Sequence, residues 1–330
     1  MRIAVIGLGL IGGSLLRALA AAGHEMLGYD ADPATRALAR TAAAKAPAGQ
    51  RWQVTGAMLD ATADAELAVL AVPLPAIGGI LDELAGAGYS GMITDVTSVK
   101  GPVRDQVDER ARRFGRLTGF VGGHPMAGRE TAGFAVSDPN LFDGCAWVLC
   151  LEPGETDVAD WLTLAGLITA LGARVVPATA GDHDRAVAAA SHVPHLLAAA
   201  LATFAATDPL ALTLGAGSFR DGTRVAASPP TLSAAMSGGN AAAVRTALDE
   251  VLALLGAARE ALDRPDPIAG LRPWFEVGTA ARAAWPPVAN EPVALPADPD
   301  ALLRLGRAGG WIIAVSADRE TVTAVRPTAR

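Results

Sequence analysis

The stretch that most limits how this chain can fold is Ile3-Ala4-Val5-Ile6 running directly into Gly7-Leu8-Gly9-Leu10-Ile11-Gly12-Gly13-Ser14. A short apolar strand, then glycines at this spacing, then a helix through about Ala22 is the setting in which a dinucleotide pyrophosphate meets the positive end of a helix. Gly7 permits the tight turn, Gly9 admits the pyrophosphate, and Gly12 lets helix pack on strand, while Leu10 and Ile11 open the helix beside the cofactor. The second strand, Met26-Leu27-Gly28-Tyr29, ends at Asp30, eighteen residues beyond Gly12. A carboxylate there accepts hydrogen bonds from both ribose hydroxyls and repels a 2′-phosphate. No arginine follows it immediately, which favours NAD over NADP.

Further α/β units follow. Leu67 to Val72 is a continuous apolar run, as a central parallel strand requires, and it stops at Pro73. Ligands lie at the carboxyl ends of such strands, so Pro73 is a candidate cofactor contact. After a helix to about Ala85, the strand Met92 to Val96 opens into Thr97-Ser98-Val99-Lys100-Gly101-Pro102. That places Ser98 and Lys100 at the crevice edge. A helix cap beside a solvated lysine is the plainer account of the same residues.

A strand from Leu117 to Val121 leads to Gly122-Gly123-His124-Pro125-Met126-Ala127-Gly128-Arg129-Glu130. Pro125 fixes its own φ and biases His124 toward extended backbone, so the ring is set at a strand end. A rigidly presented imidazole suits a general base, because it titrates near neutral pH. A turn with a surface histidine is the bland alternative.

The C-terminal half reads differently. From about Gly181 the pattern is helical and rich in alanine and leucine, notably Ala186 to Ala206 and Ala241 to Leu262. Helices apolar all round are buried, here against a second copy of the chain. Ser191-His192-Val193-Pro194-His195 lies inside the first, with Pro194 interrupting the helix ladder. His192 suits a core position and His195 a cleft. No Asp, Glu or Cys completes a metal set with them at convincing spacing, so no metal is expected. Gly215 to Arg224 reads as a glycine-rich loop whose arginines could clamp a carboxylate. Near the C-terminus, Trp311 to Val315 and Thr321 to Val325 flank Asp318-Arg319-Glu320 as a β-hairpin.

Hydrophobic residues at 51% and charged residues at 18% describe a globular protein, and a net charge of −7 without a basic run argues against nucleic acid. Cys145 and Cys150 fall on opposite faces of one strand, roughly 16 Å apart at about 3.3 Å per residue, too far to bridge. They read as core thiols of a reducing compartment. With no signal-like start and no uncharged apolar run of spanning length, the expected location is cytoplasmic, away from any membrane.

Taken together, these motifs resemble the prephenate/arogenate dehydrogenases of tyrosine biosynthesis. The resemblance covers roughly residues 1 to 285. It rests on the glycine motif Gly7 to Ser14, Asp95-x-x-Ser98-Val99-Lys100, His124-Pro125-Met126-Ala127-Gly128 with Glu130, Ser191-His192-x-Pro194-His195, and Phe219-x-Asp221-x-Thr223-Arg224. Val193 stands where leucine is common. The resemblance implies a Rossmann-type doubly wound parallel sheet followed by an all-α substrate and dimerisation domain; with the composition shift near Gly181 as boundary these take 1–180 and 181–290, and residues 291–330, which the resemblance does not cover, form the hairpin tail. It also implies NAD-dependent oxidative decarboxylation of prephenate or arogenate in a homodimer. His124 would accept the hydroxyl proton, Ser98 would orient that hydroxyl, Arg224 and His195 would hold the substrate, and Glu130 would stand at its mouth. Two other readings compete. A hydroxyacid dehydrogenase of similar build would use a catalytic lysine in the helical domain, yet the only lysines are Lys45 and Lys100. An NADH sensor would need neither His124 nor the arginine clamp.

Overall fold

Short apolar strands alternating with helices build the first sheet. In chain order these are β1 (Arg2–Ile6), α1 (Leu10–Ala21), β2 (Glu25–Tyr29), α2 (Pro33–Lys45), β3 (Gln53–Val54), α3 (Met58–Thr62), β4 (Leu67–Leu70), α4 (Leu74–Gly86), β5 (Met92–Asp95), α5 (Gly101–Phe114) and β6 (Phe120–Val121). The computed structural model describes residues 1–330 apart from 115–118, 129–130 and 329–330. The strands are ordered β3-β2-β1-β4-β5-β6 and every pairing is parallel. Order reverses between β1 and β4, so a ligand crevice opens at their carboxyl ends. Helices cover both faces, which is why Ile3–Ile6 and Leu67–Leu70 are buried without alternation.

Of the strand expected over 117–121, residues 117–118 lie outside the described residues and Phe120–Val121 is observed, while His124 belongs to a second short strand in a different sheet. β6 ends at Val121, and β7 (Gly123–Pro125) begins a second sheet after Gly122. The crossing is tight: a Cβ on Gly123 would lie 2.7 Å from the Asp95 carbonyl oxygen, so glycine is what lets the chain pass. β7 runs antiparallel to β8 (Ala146–Cys150), which runs parallel to β9 (Arg174–Ala178) after the crossover helix α6 (Val158–Ala170). Cys150 is buried in β8; Cys145 lies just before β8 and is half-buried, where burial pushes its thiol up to about 11.

Residues Asp184–Pro292 with Val325–Arg330 form a separate helical unit. It contains most of a helical run made of α7 (Ala180–Val187), a π-helical turn (Ala188–His192) and α8 (Val193–Ala205). Pro194, at the start of α8, has no N–H to donate backward, and the wider turn accommodates the missing bond. The single α-helix expected over 186–206 is therefore interrupted. α9 (Pro209–Thr213) and α10 (Gly217–Thr223) follow, then a 3-10 turn (Arg224–Ala227), α11 (Pro230–Gly239), α12 (Ala241–Leu262) and α13 (Pro267–Ala283). The stretch read as an irregular loop, 215–224, is thus mostly helix. A Cβ at Gly222 would touch Leu201 of α8 at 3.4 Å, so packing on α8 overrides the low helix propensity of its glycines.

This unit buries little of its own apolar surface. Ala188, Val193 and Val244 form a small core. Phe204 (76%), Ile268 (84%) and Val277 (73%) stay largely exposed. The expectation that no apolar run reaches membrane-spanning length also needs correction: Ala180–Ala205 is long and apolar enough by composition. It nevertheless carries a proline, a π-turn and the buried His192.

The C-terminal segment returns to the first unit, which comprises Met1–His183 and Val293–Ala324. β10 (Val293–Pro296), α14 (Pro299–Arg307), β11 (Trp311–Val315) and β12 (Thr321–Val325) complete the second sheet in the order β10-β12-β11-β9-β8-β7. The hairpin forms where expected, with Arg319 in the left-handed region at its tip (φ 60°). Its partner was not legible: β11 adds antiparallel to β9, with Ile312 opposite Val175. Leu302, Leu303 and Leu305 of α14 share one core with Ile3, Trp147, Trp161 and Val175.

Candidate active site

At the carboxyl end of β1 the glycines divide by cause. Gly7 has φ +94°, and a Cβ there would sit 2.3 Å from the Ala71 carbonyl oxygen; one on Gly12 would sit 1.9 Å from the Gly7 carbonyl oxygen. Both are required by the protein's own packing. A Cβ on Gly9 would meet no protein atom within 4 Å, so the fold's own packing does not require glycine there and the face is open to a ligand. The residue is the N-cap of α1, with no side-chain cap and no acidic residue in the first turn, where Leu10 and Ile11 are half-buried. Orphan N–H groups at an uncapped helix start fit a phosphate. Pro73 lies at the end of β4 as the N-cap of α4.

Asp30 stands at the end of β2. Its Oδ2 accepts the Leu8 N–H at 2.7 Å and its Oδ1 the Asp32 N–H at 2.8 Å. The carboxylate therefore braces the glycine turn, and each oxygen keeps further acceptor capacity for a ribose hydroxyl. Arg36 reaches the same corner, six residues on. Its Nη1 donates to the Asp30 carbonyl at 2.6 Å and the Ala31 carbonyl at 3.1 Å, and its guanidinium lies 5.6 Å from the Tyr29 ring centre. Two carbonyls thus occupy that nitrogen. Gly9→Ala should leave the melting temperature within a degree or two of the parent yet weaken dinucleotide affinity. Gly12→Ala should instead destabilise the fold by about 1–3 kcal/mol through overpacking. Calorimetry and cofactor titration separate the two. Equal melting temperatures for both variants would contradict this division.

Ser98 is half-buried in the loop between β5 and α5, and Lys100 is not at the crevice edge beside it. The Lys100 side chain is 1% exposed and ion-paired with Asp95, itself fully buried. Its Nζ also donates to the Gly123 carbonyl at 2.6 Å and reaches Thr97 Oγ1 at 3.1 Å. The second Asp95 oxygen accepts the Gly123 N–H at 3.2 Å. One buried pair thus ties the Ser98 loop to the backbone residue preceding His124, joining two motifs that lie apart in sequence.

His124 sits in β7 opposite Val148 and is 8% exposed. Its Nδ1 lies 2.8 Å from Nε2 of His183, with the rings edge-to-face at 72°. His183, on α7 and 2% exposed, is a neighbour of His124 that the sequence reading did not single out. Fifty-nine residues separate the two histidines, and Asp182-His183-Asp184 carries no periodic or motif signal of its own.

In the helical unit His192 is buried, its Nδ1 3.3 Å from Asn240 Nδ2, which donates to the Asp184 carbonyl at 2.7 Å. His195 is half-exposed. Burial, then the nearby Arg224 guanidinium, hold its pKa below the ordinary histidine value. His195 is thus held toward its neutral form, and the Arg224 guanidinium is the cation of the two. Glu130 lies outside the described residues. A cavity of about 330 Å³ beside Lys100 is a different feature, since neither His124 nor Ser98 lines it. Its Arg104 is already paired with Glu152 at 3.0 Å and Glu155 at 2.7 Å.

Two family models match. Residues 15–177 match the prephenate dehydrogenase nucleotide-binding domain and residues 179–275 the prephenate dehydrogenase dimerization domain. The prephenate dehydrogenase of Bacillus subtilis (strain 168) is 32% identical over 240 residues, 70% of this chain; the chain spans only 62% of that relative's length. A Corynebacterium glutamicum structure described as a candidate prephenate dehydrogenase superposes with TM-score 0.77 at 36% identity, covering 86% of this chain and 90% of that one. The Aquifex aeolicus prephenate dehydrogenase, solved in complex with hydroxyphenyl propionate and NAD+, gives TM-score 0.74 at 25% identity, covering 85% and 97%.

Proposed function

The chain belongs to the prephenate dehydrogenase family, and from that premise we propose that it catalyses the NAD-dependent oxidative decarboxylation of prephenate to 4-hydroxyphenylpyruvate. The observation that carries this reading is His124, held in a buried strand by a second imidazole and tied through Gly123 to the loop bearing Ser98. NAD, when bound, supplies the hydride acceptor; the open face of Gly9, the start of α1 and Asp30 are the groups that would hold it. His124 takes the proton of the ring hydroxyl as that carbon is oxidised. Ser98 hydrogen-bonds the same hydroxyl and orients it. Loss of the ring carboxylate as CO2 returns its bonding pair to the ring, which becomes aromatic, so decarboxylation is downhill. Glu130 is assigned by family resemblance to the substrate mouth. The lysine that a hydroxyacid dehydrogenase would place in the helical unit is absent from that part of the sequence, because Lys45 and Lys100 both lie before it.

The test is direct. Protein, NAD and prephenate should give reduced cofactor and CO2 in equal amounts, with NADP a poor substitute. Turnover with arogenate alone would establish the amino-acid substrate instead; turnover with neither would remove the reading.

The substrate is a dianion and the protein carries a net charge of −7, so a local cation is needed. We assign it to Arg224 with His195. Charge-assisted hydrogen bonds contribute about 1.5–3 kcal/mol each, so Arg224→Ala should raise KM roughly 100-fold with a smaller effect on kcat. An unchanged KM would show that Arg224 is not the clamp. The partner is a second copy of the chain, consistent with the dimerization-domain match over 179–275 and with the exposed Phe204, Ile268 and Val277. Exposed apolar surface on this scale marks an interface. Ala180–Ala205 is then an interface helix and not a membrane span. Light scattering should give twice the chain mass at micromolar concentration, and a stable monomer would contradict this.

A further inference from the structure

His124 cannot act as a base in every protonation arrangement that its contact with His183 allows. The facing nitrogens, His124 Nδ1 and His183 Nε2, are 2.8 Å apart, so they share a single proton: two N–H groups would collide and two bare lone pairs would repel. If His183 owns that proton, the neutral His124 ring carries its own on Nε2 and has no lone pair left for a substrate. If His124 owns it on Nδ1, Nε2 is the basic nitrogen. His183 is 2% exposed, so solvent does not stand in for it as the partner.

We propose that His183 is a positioning residue that accepts the Nδ1 proton of His124 and thereby holds it in the tautomer whose Nε2 takes the substrate proton. This rests on the role of His124 given above. The proton balance closes. The substrate O–H proton arrives on Nε2, the ring becomes imidazolium with N–H on both nitrogens, and the bond to His183 persists, now charge-assisted. A neutral acceptor orients the base without the added negative charge that a carboxylate in its place would bring. The pair titrates as a unit: the state with one extra proton is inactive, and further protonation is opposed because the facing nitrogens hold only one.

Charged groups surround the pair on several elements. Lys100, paired with Asp95, bonds the Gly123 carbonyl beside His124. On α7 lie Asp182, paired with Arg307 of α14 at 3.0 Å, together with Asp184 and Arg185. Glu152 accepts the Ala180 N–H at the start of α7 at 2.6 Å. These groups keep their charges in a His183 variant, and the glutamine variant below controls for changes in their surroundings.

The experiment has two arms. In the unmutated enzyme labelled with nitrogen-15 histidine, above the acid break in activity, His124 Nδ1 should show the protonated-type shift and Nε2 the unprotonated type. The reverse tautomer would overturn the proposal. In kinetics, His183→Leu should lower kcat by about 10–100-fold, the size expected for losing one hydrogen bond that becomes charge-assisted as the ring is protonated. It should also displace the acid limb of the pH profile while leaving KM and NAD affinity unchanged. His183→Gln, whose side-chain carbonyl can accept from Nδ1 at similar reach, should restore kcat to within a few-fold and return the acid limb. A leucine variant with parental kcat and pH profile, or a glutamine variant as impaired as a folded leucine variant, would overturn it. If the leucine variant does not fold, the tautomer measurement and the glutamine variant still decide. Failure of the unmutated protein to oxidise prephenate or arogenate would remove the functional reading, a result distinct from a reversed tautomer in an active enzyme.

Discussion

His124→Asn should reduce kcat by about 10²–10⁴-fold, the usual cost of losing a general base. Asparagine keeps a polar side chain of similar reach but cannot take a proton near neutral pH. The base works only as the neutral ring, so activity of the parent should be lost as pH falls through its ionisation and present above it. In the variant that acid limb should disappear along with the turnover. NAD affinity should stay at the parental value, because Gly7, Gly9, Gly12 and Asp30 are untouched. Steady-state rates across pH 5–9 with a separate cofactor titration are the measurement. Near-normal turnover with the parental profile would move the base to another residue, His195 first.

Lys100→Met should cost about 3–5 kcal/mol of folding stability, because it leaves the Asp95 carboxylate buried without its cation. That is a large share of the roughly 5–15 kcal/mol that holds a typical domain folded. The remaining donors to Asp95, from Thr97 and Gly123, soften the loss without replacing a charge. The Gly123 carbonyl also loses its Nζ donor, so His124 should be held less firmly and residual folded enzyme should show lower kcat. The double variant Asp95→Leu, Lys100→Met should recover part of the stability, since both charges leave together. Urea unfolding of the parent, the single variant and the double variant checks this order of stabilities. A single-variant loss below about 1 kcal/mol would mean that the pair is not sealed from water.

Much of this protein is legible where the chain carries its own local instruction. The alternation of apolar strands and helices from Ile3 to Asp95 predicts a parallel sheet, because strands covered on both faces must be apolar throughout. The glycine turn declares itself through spacing, and the hairpin at 311–325 through its two β-rich runs. His124 is visible because Pro125 and the flanking glycines give it a rigid setting. Where the reading failed, a distant contact decided the outcome. Lys100 looks like a surface lysine at the end of a strand, and only the crossing at Gly123 brings Asp95 and the carbonyl that bury it. The helix at 217–223 forms against its glycine content because α8 supplies the packing.

The sequence by itself determined the local elements, the dinucleotide turn and the rigid setting of His124, because each of these depends on neighbours within a few positions. Only the tertiary structure decided that the chain switches sheets at Gly122, that residues 293–324 return to complete the second sheet, and that His183 meets His124 at 2.8 Å. Those outcomes depend on pairings across tens to hundreds of residues. Chain closure over such separations leaves no periodic mark in the sequence, and packing selects among partners that local pattern leaves equivalent.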